Sequence, residues 1–226
     1  MRWRAMALAL LLGGTACQAE REDRVRYVAL GDSYTIGTSV SEADRWPNQL
    51  AARVPELELI GNPAVNGYTS ADLIHRELPL LDDLRPELVT LLIGVNDVVH
   101  GVPETVYRAN AGVILDRLLV LVGAGRVVCV ATPDYTRTPR GAEFGDPDRQ
   151  REGIERINAV LREECEDRGM AFVPEILEIS RRASDDSDLV APDGLHPSGE
   201  QYRRWVESIE PVVRRLLAAD PVAPAD

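Results

Sequence analysis

The chain reads as a three-layer α/β/α sandwich around a mostly parallel, five-stranded sheet. Three observations predict it. Short apolar runs rich in β-formers alternate with longer segments of helical period along most of the 226 residues, the pattern of strand–crossover–strand units. Two of those runs, ending at Gly31 and Gly94, are continuously apolar, as strands buried on both faces are. No repeat, low-complexity block or long linker divides the chain, and its length suits one domain with a real core.

Each element follows from that pattern. Residues 25–30 form the first strand, and 47–54 a helix with Leu50, Ala51 and Val54 on one side. Residues 57–60 form a short second strand that stops at Gly61-Asn62-Pro63. Ser70 is placed to cap a helix over 71–81. Residues 88–93 form the third strand, and 104–122 a helix with Val106, Ala109, Val113, Leu118 and Val122 among its apolar positions. The fourth strand covers 126–131. Asp146-Pro147 opens a helix to about residue 168, with proline where a first turn tolerates it. Residues 170–173 form the fifth strand and 198–217 the last helix.

Composition narrows the function classes. The chain is 45% hydrophobic and 27% charged, with a net charge of −12, and every basic residue is arginine. An acidic chain without a basic stripe argues against a nucleic-acid partner. Residues 1–17 read as a removable secretory leader: Arg2 and Arg4, an apolar run, then small residues up to Cys17. The apolar run is too short for a permanent transmembrane helix. Small residues leading into Cys17 resemble a bacterial lipoprotein signal, with Gly14 where leucine is usual. Membrane anchoring through a lipidated Cys17 and plain cleavage near Ala16 or Ala19 both stay open. Either outcome places the folded part outside the cytoplasm, as a periplasmic or outer-membrane-anchored protein or a secreted one. The organisation expected is then a leader over 1–17, a polar linker over 18–25, one domain over 26–217 and a Pro-rich tail over 218–226.

Cys129 and Cys165 sit on apolar faces, and with nothing local to bring them together they read as buried free thiols in preference to the alternative, a disulfide. No metal-ligand spacing occurs, and no cofactor is expected.

In a parallel sheet, ligands bind beyond the carboxyl ends of the strands. Four stretches fall there or just before the last helix: Gly31-Asp32-Ser33, Asn66-Gly67, Gly94-Val95-Asn96-Asp97 and Asp193-Gly194-Leu195-His196. Taken singly, each is an ordinary turn. Together they supply what acyl transfer needs. Ser33 offers a nucleophile, and His196 a base whose ordinary pKa near 6.5 suits neutral pH. Asp193, three residues before His196, is close enough to fix one imidazole tautomer. The Ser33 and Gly67 N–H groups and the Asn96 amide can face a developing oxyanion. A second Asp-x-x-His, Asp97 to His100, competes for the base. His196 is preferred because a Gly-Leu turn separates it from Asp193, whereas Val98-Val99 suggests packing; His100 reads as a surface or pocket-edge residue and His75 as a polar position on its helix.

In order and separation these four blocks resemble those of the SGNH (GDSL-type) hydrolases, over about residues 27–216. The resemblance implies a flavodoxin-like sandwich with Ser33 as nucleophile and Asp193 and His196 as its partners. It also implies an oxyanion hole of Ser33, Gly67 and Asn96, with Asp32 and Asp97 positioning backbone and loop. Tyr34 departs from the leucine of the family name, and Tyr68-Thr69 are variable pocket positions. The expected substrate is a small or medium carboxylic ester. Lysophospholipids, thioesters and acetylated sugars remain alternatives.

Residues 132–146, with Asp134, Tyr135, Pro139 and Phe144, are expected to wall the acyl group. Trp46 is expected either at the same mouth or in the core. Two rival classes are a non-catalytic surface module, which need not keep every one of these groups, and a nucleotide or flavin binder. The latter is disfavoured by an acid at Asp32, where a phosphate cradle would stand.

Overall fold

A computed structural model describes residues 24–219; the leader with Cys17 and the end of the tail lie outside the described residues. Five parallel strands form one sheet: β1 (Val25–Gly31), β2 (Leu57–Gly61), β3 (Leu88–Leu92), β4 (Val127–Val130) and β5 (Ala171–Val173). Their spatial order is β2-β1-β3-β4-β5. The order reverses between β1 and β3, so the crevice that such sheets use for ligands opens at the carboxyl ends of those two strands.

Alternation along β1 builds both faces. Tyr27 and Ala29 point into one core with Leu50 of α2 (Trp46–Arg53) and with Tyr202, Trp205, Val206 and Ile209 of the C-terminal helix, Gly199–Ala218. Val28 and Leu30 point the other way. There they meet Leu73 of α3 (Ser70–Arg76), Ala111, Ile114, Leu115 and Leu118 of the helix Glu104–Val122, and Leu161 of the helix Pro147–Glu166. Between these lie short helices: α1 (Ser33–Ile36), α4 (Leu81–Leu84), α5 (Val95–Val99) and α8 (Glu175–Arg181). In chain order the three long helices are α6 (Glu104–Val122), α7 (Pro147–Glu166) and α9 (Gly199–Ala218). Among the described residues no helix is long and apolar enough to cross a membrane.

Four local expectations are corrected. Thr69, not Ser70, caps α3: its hydroxyl accepts the Asp72 N–H while the Asp72 carboxylate accepts the Thr69 N–H at 3.1 Å, a reciprocal capping box. The helix expected to run to residue 81 ends at Arg76, because Pro79 has no N–H to continue the hydrogen-bond ladder, and the chain passes through a 3₁₀ turn, Leu78–Leu80. On α6 the buried stripe is Tyr107, Ala111, Ile114, Leu115 and Leu118, while Val106 and Val113 are exposed. Finally, Cys129 and Cys165 are not free thiols. The crossover that carries α7 back over the sheet sets Cys165 against β4, and the two form a disulfide across 36 residues. Trp46 is fully buried and belongs to the core.

Candidate active site

The first candidate residue stands where β1 can no longer continue. Gly31 has φ +154°, and a Cβ there would overlap the Leu92 carbonyl and the Thr35 side chain, so only glycine lets the chain turn out of the sheet. Asp32 follows as the cap of α1, its Oδ1 accepting the Tyr34 N–H at 3.0 Å. Ser33 is thereby the first residue of α1, at the carboxyl edge of β1.

Three buried carboxyls lie beneath this turn. Asp32 Oδ2 meets no hydrogen-bond partner among the described residues. Burial pushes its pKa up to about 7, with the nearby Asp97 adding to the rise and the Tyr34 N–H opposing it. Glu77, at the end of α3, accepts the Gly31 N–H at 3.0 Å. Burial raises it to about 8, against the pull of that N–H and with a further push from Asp32. Asp97, on α5, is also raised by burial, although the Ser70 hydroxyl and N–H donate to its two oxygens at 2.5 and 2.9 Å. Since Thr69 does the capping, Ser70 is free for this second role. It ties α3 to α5 and is held in turn by Asn110 Nδ2 at 2.9 Å. The sequence assigns Asp97 a positioning role; Ser70 and Glu77 escape it, because Ser70 reads as a helix cap and Glu77 as a routine helical residue.

The oxyanion candidates come from two loops. Gly67 is exposed with φ +84° and open space beside it, which leaves room for a substrate to approach the backbone. Asn96 donates one amide hydrogen to the Tyr68 carbonyl at 2.9 Å. That bond fixes the amide and leaves a second hydrogen for the cleft.

The acid–base pair stands on the loop that leads into α9. This loop is closed by an antiparallel bridge between Val190 and Pro197 and by the Ala191 N–H on the His196 carbonyl at 2.8 Å. Asp193 Oδ2 meets His196 Nδ1 at 2.6 Å, and Asp193 Oδ1 accepts the N–H groups of Leu195 and His196 at 2.9 and 3.0 Å. Partial burial works against the charge on Asp193. The hydrogen bonds from Ser39, His196 and the two N–H groups outweigh it and hold the carboxyl well below the usual carboxylate range. The imidazole packs against Tyr34, ring centroids 5.3 Å apart, and Tyr34 stacks on Trp205 at 6.4 Å.

Ser33, Asn66, Gly67, Asn96 and His196 line one cleft of about 180 Å³, whose apolar wall is Val95, Val99, Tyr135, Phe144 and Leu195. Tyr135 and Phe144 pack edge to face, and the Tyr135 hydroxyl donates to Gln150 at 2.6 Å. Asp134 and Pro139, expected in this wall, are not among its lining residues. Asp134 is buried and paired with Arg181 at 3.1 Å. His100 is exposed at the end of α5 and His75 is exposed on α3; neither lines the cleft. Among the described residues no group of three or more His, Cys, Asp or Glu side chains is placed to hold a metal. The arrangement can therefore present one hydroxyl, one imidazole with a carboxylate behind it, and several uncharged donors to a single reacting carbon.

Comparison with known proteins bears on the family and the fold. Residues 29–204 match the model of the GDSL-like lipase/acylhydrolase family. A curated relative, an arylesterase of Vibrio mimicus, is 30% identical over 88 residues, which is 38% of this chain and 44% of the relative; the match thus spans less than half of that protein. Among solved structures, TesA superposes with a TM-score of 0.66 at 20% identity, covering 84% of this chain and 98% of TesA. Axe2, an acetylxylan esterase from Geobacillus stearothermophilus, superposes with a TM-score of 0.63 at 18% identity, covering 89% and 97%.

Proposed function

Because the chain belongs to the GDSL-like lipase/acylhydrolase family, we propose that it is a serine esterase working through an acyl-enzyme on Ser33. The observation that carries this reading is the convergence on one cleft of Ser33, Gly67, Asn96 and His196, with Asp193 hydrogen-bonded behind the imidazole at 2.6 Å. Ser33 Oγ attacks the ester carbonyl while His196 accepts its proton. Asp193, on Nδ1, keeps the other imidazole nitrogen free for that task and stabilises the imidazolium that forms. The oxyanion is received by the Ser33 and Gly67 N–H groups and the Asn96 amide. His196 then protonates the leaving alkoxide, and in the second half it activates the water that releases the acid.

A cleft of about 180 Å³ with an aliphatic and aromatic wall is smaller than a drug-sized pocket, which favours short acyl chains or a small aryl group. The names of two similar proteins, an arylesterase and an acetylxylan esterase, fit that size range. A thioester or lysophospholipid is the second reading, favoured only by the apolar character of the same wall. The site would act outside the cytoplasm. The leader over residues 1–17 supports this, and so does the Cys129–Cys165 disulfide, a bond that persists in oxidising compartments. Cys17 is the candidate for lipid attachment.

The test is hydrolysis of p-nitrophenyl acetate together with labelling by a fluorophosphonate. Ser33→Ala is expected to abolish both, and His196→Ala to lower turnover by about 10³-fold or more. His100→Ala is expected to leave turnover within about twofold. Loss through His100 with His196 spared would reassign the base.

A further inference from the structure

Ser39 lies in the loop that follows α1, six residues beyond the nucleophile, and nothing in its sequence context marks it. Its hydroxyl donates to Asp193 Oδ2 at 2.7 Å, the oxygen that also meets His196 Nδ1 at 2.6 Å. With the Leu195 and His196 N–H groups on Oδ1, the carboxylate accepts four hydrogen bonds, two on each oxygen. Among the described residues, only Ser39 donates to this carboxylate from outside the 193–196 turn. The backbone at Ser39 has φ +68°, one of two non-glycine residues with positive φ among those described. That left-handed conformation is unfavourable for serine, and strain of this kind persists where surrounding structure fixes it. The neighbouring Thr38 hydroxyl donates to Asn66 Oδ1 at 2.6 Å, so the same short loop grips the segment that carries Gly67.

We propose that Ser39 is a positioning residue of the triad: it ties the Asp193 carboxylate to the segment that carries Ser33, so that acid, base and nucleophile keep one relative geometry. The proposal rests on the assignment of Ser33, His196 and Asp193 made above. Without the hydroxyl, the Asp193 carboxylate would keep only the hydrogen bonds of its own turn among the described residues, and the imidazole would lose part of the backing that aims its other nitrogen at Ser33. The interaction is charge-assisted, which makes it stronger than a bond between neutral groups.

Two substitutions separate this role from a structural one. Ser39→Ala removes the hydroxyl and keeps the strained backbone; Ser39→Gly removes the hydroxyl and relieves the strain. The expected result is a fall in kcat of about tenfold in both variants. KM for p-nitrophenyl acetate should stay within about twofold, and the Gly variant should melt no lower than the parent. In both, the downfield proton resonance of the His196–Asp193 hydrogen bond should shift or broaden. A kcat that falls in Ser39→Ala but recovers in Ser39→Gly would make the effect one of backbone strain and overturn the proposal. So would unchanged kcat in both while Ser33→Ala is inactive, leaving the triad assignment standing. Turnover surviving in Ser33→Ala would instead overturn the triad assignment, and this proposal with it.

Discussion

Carboxyl groups support the cleft from two sides, and they do so by opposite means. Beneath the nucleophile, Asp32 and Glu77 are buried, each accepts one backbone N–H, and each retains an oxygen without a partner among the described residues. At the rim, Asp193 is partly exposed and accepts four hydrogen bonds. Burial pushes the first pair up to about 7 and 8, while hydrogen bonding holds Asp193 below the ordinary range. A carboxyl used only to brace a turn can be neutral, whereas one that stabilises an imidazolium must keep its charge.

The largest effect that tests this contrast is on the rim. Asp193→Asn keeps the shape and removes the charge, and its amide can present a hydrogen to the imidazole in place of an acceptor. The imidazole is then held in the wrong tautomer. Turnover of p-nitrophenyl acetate is expected to fall by about 10³-fold or more, and the thermal midpoint should fall as well, because the charge that the four hydrogen bonds stabilise is gone. A drop of less than tenfold would mean that the negative charge at Asp193 is not what the site uses.

The next effect is on the buried side and appears in stability. Asp32 and Glu77 bind protons in the folded chain that they release when unfolded, so the folded state is favoured at low pH. That advantage is lost as pH rises from their ordinary values, 3.8 and 4.5, through about 7 and 8. Asp193 works in the other direction: its contribution is present above its ordinary value of 3.8 and lost as pH falls. Denaturant melts of the parent should therefore show stability declining between about pH 5 and pH 8. Glu77→Gln, which cannot ionise but can still accept the Gly31 N–H through its carbonyl, should flatten part of that decline. Parallel curves for parent and variant would show that Glu77 does not titrate in this window.

The same contrast explains how much of the molecule was legible in the sequence. Strands and long helices were readable because each is set by local periodicity, and their observed ends agree with expectation within a residue or two. All four blocks of the candidate site were readable too, since each sits where an apolar strand or a loop meets a glycine, a positional signal. The supporting shell was not. Glu77 has the look of a solvated acid in an amphipathic helix, and only the packing of α3 under β1 buries it. Ser70 looked like the obvious cap until Asp72 paired with Thr69. Cys129 and Cys165 are joined by a crossover that no local pattern encodes. Ser39 is 154 residues from its partner. What escaped was in each case a tertiary contact made by a residue whose local context already had an adequate explanation.

The smallest effect concerns Tyr34, which stands between the two sides. Its N–H is held by Asp32, and its ring lies against His196 on one side and Trp205 on the other. Because Tyr34 is nearly buried, the ring acts as a wall that limits where the imidazole can swing, and its contribution is one of contact. Aromatic pairs of this kind are worth about 0.5–1.5 kcal/mol beyond the area they bury. Tyr34→Leu, the residue of the family name, should therefore lower kcat by only about threefold. It should also lower the thermal midpoint by a few degrees, because a leucine leaves space beside Trp205. If the midpoint falls and kcat does not, the ring serves the core alone, and the alignment of His196 comes from Asp193 and its hydrogen bonds without help from the buried side.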